Sequence, residues 1–343
     1  MKNGPPEYLQ ARRRLEALLP ELLEAVARPH FQAATRQEGA PEVAFNDLAL
    51  SALILSLDGY AESLVAEGRP DQAALVYELV FRLGAGVSQD GGIVQTMMGV
   101  SYQALAFQSL VGHLSPSSEL SPNQWAGLSL AVAAVTPTPL TMQAALEQDL
   151  VFGTDFLLGP RASYDGDARH LRGVYLLPGM RARDQRVYHN VMGALLEEAR
   201  GGLVNQAAPA ASWKAILKGE TGPGVAPLLP QYDTQSARLT LHGAKMGGLA
   251  AMAGVCAYRA RYGKLPESLA NLDEMRLLAP GGAPWSTVRG VYYEVRGQQG
   301  VVGIQVPPEL FTRAGLDREA ARQQEVANSA YFGLGERGYY FLI

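Results

Sequence analysis

The residues with the most chemical potential are spread thinly along this chain. Five histidines stand at positions 30, 113, 170, 189 and 242, and none forms an i, i+4 pair with another. A helical metal site needs that spacing to put two imidazoles on one face, and HExxH is absent. Asp165-Gly166-Asp167 with His170 offers oxygen and nitrogen ligands to a hard cation. It lacks the ligand order of an EF-hand and the glutamate at the twelfth position, so it reads as a polar turn and no metal is assigned.

Arginines are denser nearby, at 161, 169, 172, 181, 183 and 186. Guanidinium groups grip phosphate or carboxylate in bidentate pairs. Arg172, Arg181, Arg183 and Arg186 are therefore the candidate anion-binding set, with Asp165, Asp167 and Asp184 among them as alternative partners. Glu147, Asp149 and Asp155 could pair as acid and base, but their spacing does not set them apart from surface carboxylates. Gly333, Gly335 and Gly338 spell GxGxxG only five residues before the last residue given. A dinucleotide site needs a helix after that motif. Neither GxSxG nor GxxxxGK[ST] occurs. No catalytic residue and no cofactor is assigned.

The totals narrow the class. The chain has 343 residues, 48% hydrophobic and 18% charged, enough for real cores. A net charge of −4 gives no electrostatic reason to bind nucleic acid, and aromatic and basic residues are not interleaved as a single-strand platform requires. Cys256 is the only cysteine, so no intrachain disulfide and no cysteine cluster can form. It reads as a buried structural residue. MKNGPPEYLQARRR contains no apolar h-region. Two localisations stay open: the cytoplasm, or the extracytoplasmic envelope if an exporting segment lies outside this sequence.

The elements that must position these residues change character along the chain. Residues 7–28 carry the stripe Leu15, Leu18, Leu19, Leu22, Leu23 and Val26, with Pro20 expected to open a second helix. Residues 29–43 read as a loop. Asn46 is placed to cap a helix to about Ala66, and another helix runs from about Asp71 to Leu83. Leu57, Gly59, Tyr60, Gly68, Ala73 and Tyr77 resemble one tetratricopeptide-type helical hairpin, without a second copy. From Gly91 to Leu146 the only formal charge is Glu119. Ser121-Pro122 and Thr138-Pro139 are helix starts within that stretch. Two readings fit it: central helices covered by neighbours, or a face for a protein partner or a second copy.

Residues 160–186 read as a surface loop and domain junction, followed by a helix from about Arg186 to Arg200. Ala210–Lys218 can hold a short helix. Leu239, Met246, Leu249, Met252, Val255 and Tyr262 then mark an amphipathic helix over 237–262, with Gly263 and Pro266 ending it. Only 13 uncharged residues lie between Lys245 and Arg259, whereas a membrane span needs ~20. No membrane span is expected in the chain. Glu267–Leu272 reads as a short helix, 288–295 and 301–306 as a hairpin joined by 296–300, residues 314–329 as a polar helix or a loop, and 339–343 as a last strand.

Tyr258, Gly263, Pro266, Ser268 and Leu269 form Tyr-x-x-x-x-Gly-x-x-Pro-x-Ser-Leu after a small-residue helix. This resembles the globular part of bacterial pseudopilins. It is more similar still to a poorly characterised family of bacterial envelope proteins, in which a helical N-terminal region precedes the same element. Such proteins start with a hydrophobic anchor or a processed hydrophobic helix, a pattern this sequence does not show.

The expected fold is mainly α with a small α+β C-terminal unit: a helical-hairpin, repeat-like N-terminal region (1–160), a linking region with short helices (161–235), then a long helix packed on a small antiparallel sheet (236–343). The expected function is a non-enzymatic interaction or scaffold protein of the bacterial cell envelope, meeting its partner through residues 91–146. The alternative is an enzyme or small-ligand protein with an arginine-lined anion site between the two units.

Overall fold

A glycine-containing helix in an aqueous protein needs neighbours, because each glycine costs about 1 kcal/mol of helix propensity. The computed structural model, which describes residues 6–28, 47–89, 91–158, 178–200, 232–275 and 291–343, shows where those neighbours come from. The spine helix is Tyr232–Tyr262, five residues longer at its start than the pattern predicts. From Leu241 to Tyr258 every residue except Lys245 is buried. The spine is thus buried on every side except at Lys245, as a central core helix is. Ser129 Oγ donates to the Ala250 carbonyl at 2.8 Å on one side. On another, a Cβ at Gly248 would strike the side chains of Ile304 and Phe341, so the glycine lets the sheet close in. Gly263, at φ +68°, ends the helix and donates to the Arg259 carbonyl at 2.9 Å.

The N-terminal helices wrap this spine. α1 is Pro6–Val26 and stays continuous through Pro20, contrary to the expected break. Leu15, Leu19, Leu22, Leu23 and Val26 lie against the core on both sides of the proline and hold the two halves in line. Leu18, expected in that stripe, is exposed. α2 (Asp47–Ala66) and α3 (Pro70–Ser88) form the hairpin, turning at Gly68 with φ +74°. Ala73 and Tyr77 are fully buried, as expected of the hairpin contact, whereas Gly59 is exposed. α3 runs five residues past the predicted Leu83. Those residues include Gly84, whose added Cβ would sit 2.7 Å from the Gly99 carbonyl oxygen of α4 (Ile93–His113). Close backbone approach of α3 and α4 stabilises a stretch that propensity alone would end.

α5 (Pro122–Val135) begins with a full capping box: Gln124 N donates to Ser121 Oγ, and Ser121 N donates to Gln124 Oε1. α6 is Pro139–Leu158 and α7 is Met180–Arg200, which starts six residues before the predicted Arg186. The spine is numbered α8. The short helix expected over 267–272 is a 3₁₀ helix, Leu269–Met275. One segment among the described residues, Ala49–Ala66 of α2, is long and apolar enough to cross a membrane by length and composition, with 39% of it buried.

The C-terminal unit is a four-stranded antiparallel sheet in the order β1-β2-β4-β3. β1 (Val291–Arg296) and β2 (Gln299–Gln305) pair Arg296 with Gln299. Their turn is therefore the two residues Gly297-Gln298, not the five predicted, and Gly297 supplies φ +65°. β4 is Gly338–Leu342. Two short elements escape sequence reading: α9 (Pro308–Arg313) and β3 (Phe332–Leu334). α10 (Arg318–Asn328) is a true helix, its Asp317 Oδ1 accepting from Ala320 N at 2.7 Å. The fold is therefore mainly α with a small α+β C-terminal unit. Phe107 of α4 meets Phe332 edge-on at 5.0 Å, and one apolar cluster runs from Leu15 to Ile343. A second cluster joins α4, α6, α7 and the start of the spine.

The loop at 29–43, the Asn46 cap, the 160–177 loop with its boundary at 160, and the short helix at 210–218 lie outside the described residues.

Candidate functional site

Two places stand out: a polar joint between α2, α3 and α4, and an exposed apolar face on α6 beside α4.

The joint is built from two i, i+4 pairs on neighbouring helices. α2 contributes Asp58 and Glu62, and α4 contributes Ser109 and His113. Ser109 Oγ lies 3.0 Å from the Tyr77 hydroxyl and donates toward Glu62 Oε1 at 3.5 Å. Asp58 lies beside Ser109 in the same joint. His113 Nδ1 is 2.9 Å from the Ser109 carbonyl, so the neutral ring carries its proton on Nδ1, and it is 4.0 Å from Glu62 Oε1. Asp58 is 8% exposed and its Oδ1 has no hydrogen-bond partner. Burial raises the Asp58 carboxyl above its ordinary 3.8, the Ser109 hydroxyl opposes this, and the Glu62 charge adds to it. Burial also raises the Tyr77 hydroxyl. His113 is not placed to activate Ser109, because a base must hydrogen-bond the hydroxyl it activates and His113 Nδ1 faces the Ser109 carbonyl instead.

Sequence reading singled out neither carboxylate of this joint, nor Ser109. The available signal was an i, i+4 carboxylate pair in an otherwise apolar helix facing an i, i+4 Ser-His pair in an uncharged one.

Of the candidate anion-binding arginines, Arg183 and Arg186 are exposed on α7. At three residues apart they share a face. Arg181 is half-buried and lies about 200° round the helix from Arg183. Arg172 lies outside the described residues, as do Arg161, Arg169, Asp165, Asp167, His170 and His30. Asp149 caps a helix: its Oδ2 accepts from Ile93 N at 3.1 Å, and burial raises its carboxyl against that bond. Glu147 Oε1 accepts from Gln143 at 2.8 Å. The side chain of Asp155 is outside the described set.

His189 and His242 have structural partners. His189 Nε2 contacts Thr154 Oγ1 at 2.9 Å. His242 is buried, and its Nε2 is 3.1 Å from Gln103 Oε1. Gln103 in turn donates to the carbonyls of Phe81 and Val135 at 3.3 and 3.1 Å. Burial, then the nearby Lys245, lowers His242 to about 3, so it is a neutral donor at ordinary pH. Gly335 and Gly338 hydrogen-bond each other across the β3–β4 turn, and no helix follows them among the residues given. Among the described residues, no group of three or more His, Cys, Asp or Glu is placed to hold a metal.

Cys256 is buried and its thiol is pushed well up by burial. It should resist maleimide in the native protein and react only as the chain unfolds. Stoichiometric labelling within minutes under native conditions would place it elsewhere.

The apolar face lies along and beyond the charge-poor segment. Leu140, Ala144, Glu147 and Val151 are exposed on α6 at spacings that put them on one side. Leu140 is 70% and Val151 53% exposed, and Val94, beside the Ile93–Asp149 contact, is 69% exposed. The same segment also supplies core: Trp125, Leu128, Phe107 and Leu110 are buried.

Comparison with protein-family models, with curated proteins and with solved structures gives no match.

Proposed function

We propose that this chain is a non-enzymatic interaction or scaffold protein that takes a protein partner, or a second copy of itself, on the exposed face of α6. One observation carries the reading. The fold buries most apolar side chains of the charge-poor stretch yet leaves Leu140 in solvent on α6, with Val151 continuing that face one turn past Glu147. A large apolar side chain in water gains ~1.5–3 kcal/mol on full burial, so these two supply a driving force for association that the folded chain itself leaves unused. Association with the bacterial cell envelope belongs to the same proposal and is supported by the resemblance of the Tyr258–Leu269 element.

The test is a Leu140→Glu/Val151→Glu double variant. Both positions are exposed, so the fold should tolerate the change. Light scattering across a concentration series, with crosslinking to envelope extracts, should show self-association or a defined partner for the parent chain, and a loss of at least about tenfold in affinity for the variant, as ~1.4 kcal/mol of lost burial would give. A parent chain that stays monomeric and crosslinks to nothing the variant does not would end this reading.

A further inference from the structure

We propose that the α2–α4 joint is a proton-gated latch, in which loss of the Asp58 proton loosens α2 from α3 and α4. The argument begins with donors. A carboxylate accepts about four hydrogen bonds, whereas Asp58, nine-tenths buried, leaves Oδ1 unpartnered. The nearby hydroxyl of Ser109 has one proton, and Glu62 Oε1 accepts it at 3.5 Å. The Nδ1 proton of His113 goes to the Ser109 carbonyl. Tyr77, facing from α3, touches Ser109 and not the orphaned oxygen. An ionised Asp58 is therefore a buried anion with an unpaired oxygen, which is costly. A protonated Asp58 removes that cost and gains a donor of its own.

The groups facing Asp58 act in both directions, with burial the largest effect. Burial and the Glu62 charge, from α2 itself, disfavour the anion, whereas Ser109 and His113, from α4, favour it by less. The sign follows. A carboxyl raised in the folded state contributes stability that is complete below its unfolded value and is lost as pH rises through the folded value. The α2 contact should therefore weaken from acid toward neutral pH, opposite to an ordinary ion-paired carboxylate. α2 is placed to respond, because Ala52, Leu55, Ser56, Gly59 and Glu62 form an outer side open to solvent.

Hydrogen exchange of α2 amides in the full chain, corrected for intrinsic rates and followed from below the ordinary carboxyl range up to pH 8, tests this. The parent chain should open more as pH rises, about tenfold for each unit by which the carboxyl is raised. Asp58→Asn, nearly isosteric, should flatten the dependence. Ser109→Ala, which removes the neighbouring hydroxyl, should steepen it, and Glu62→Gln, which removes the adjacent charge, should weaken it without abolishing it. An α2 whose exchange is flat with pH, or whose dependence survives Asp58→Asn, or disappears in Glu62→Gln alone, overturns the proposal.

Discussion

Gly99→Ala is expected to destabilise the protein by about 1–2 kcal/mol, although alanine is the better helix former by about 1 kcal/mol. An added Cβ at Gly99 would fall within contact distance of the Gly84 carbonyl oxygen and Ser88 Oγ, and 3.1 Å from the Ser88 amide nitrogen. Two of these are backbone atoms, which cannot rotate away. Overpacking of this kind costs ~1–3 kcal/mol and outweighs the propensity gain. The control is Gly59→Ala on α2. Nothing lies within 4 Å of its added Cβ, so it should stabilise by up to about 1 kcal/mol. Urea unfolding of both variants gives the comparison. If Gly99→Ala behaves like Gly59→Ala, α3 and α4 do not cross as closely as described.

Lys245→Met should cost more, about 3–5 kcal/mol. Lys245 Nζ bonds Glu325 Oε1 and sits 5.0 Å from the Tyr339 ring centroid and 5.9 Å from that of Phe107. The Glu325 side chain is only 5% exposed, and its Oε2 already has no partner. Removing the lysine leaves a buried anion without compensation, the costly way to break such a pair. Replacing both residues by apolar ones removes both desolvation penalties, so Lys245→Met/Glu325→Leu should recover most of the loss. Thermal unfolding of the two variants decides it. A single variant within 1 kcal/mol of the parent would mean that α10 is not pinned to the spine by this pair.

Local rules made much of the fold legible. Ser121 and Pro122 announce the start of α5, and Gly263 with Pro266 announces the end of the spine, because caps and turn residues act within a few positions. The same rules failed where distant packing overrode them. Pro20 should have broken α1, but leucines on both sides of it share one core surface. α3 should have stopped at Leu83, but the glycines that weaken it also let α4 approach. The spine's apolar spacing marked one packed side, but which element each small residue lets in depends on the tertiary fold: Gly248 admits the sheet. The polar joint was hidden for a related reason. Asp58 and Ser109 are 51 positions apart, and each looks like an isolated polar residue in an apolar helix until the hairpin brings them together. Short elements such as β3 carry too few residues to show a period. The exposed face was anticipated in part: the charge-poor segment was legible, but which of its apolar residues stay in water depends on helix orientation.

The central claim is that the α8 helix is rigid because α5, the sheet and the neighbouring helices hold it from all sides. Native-state hydrogen exchange of its amides tests this most directly. Residues 246–257 should exchange only through global unfolding, with the full unfolding free energy, while the exposed 259–264 exchange freely. Exchange of 246–257 through a local opening, at rates close to those of 259–264, would contradict the account.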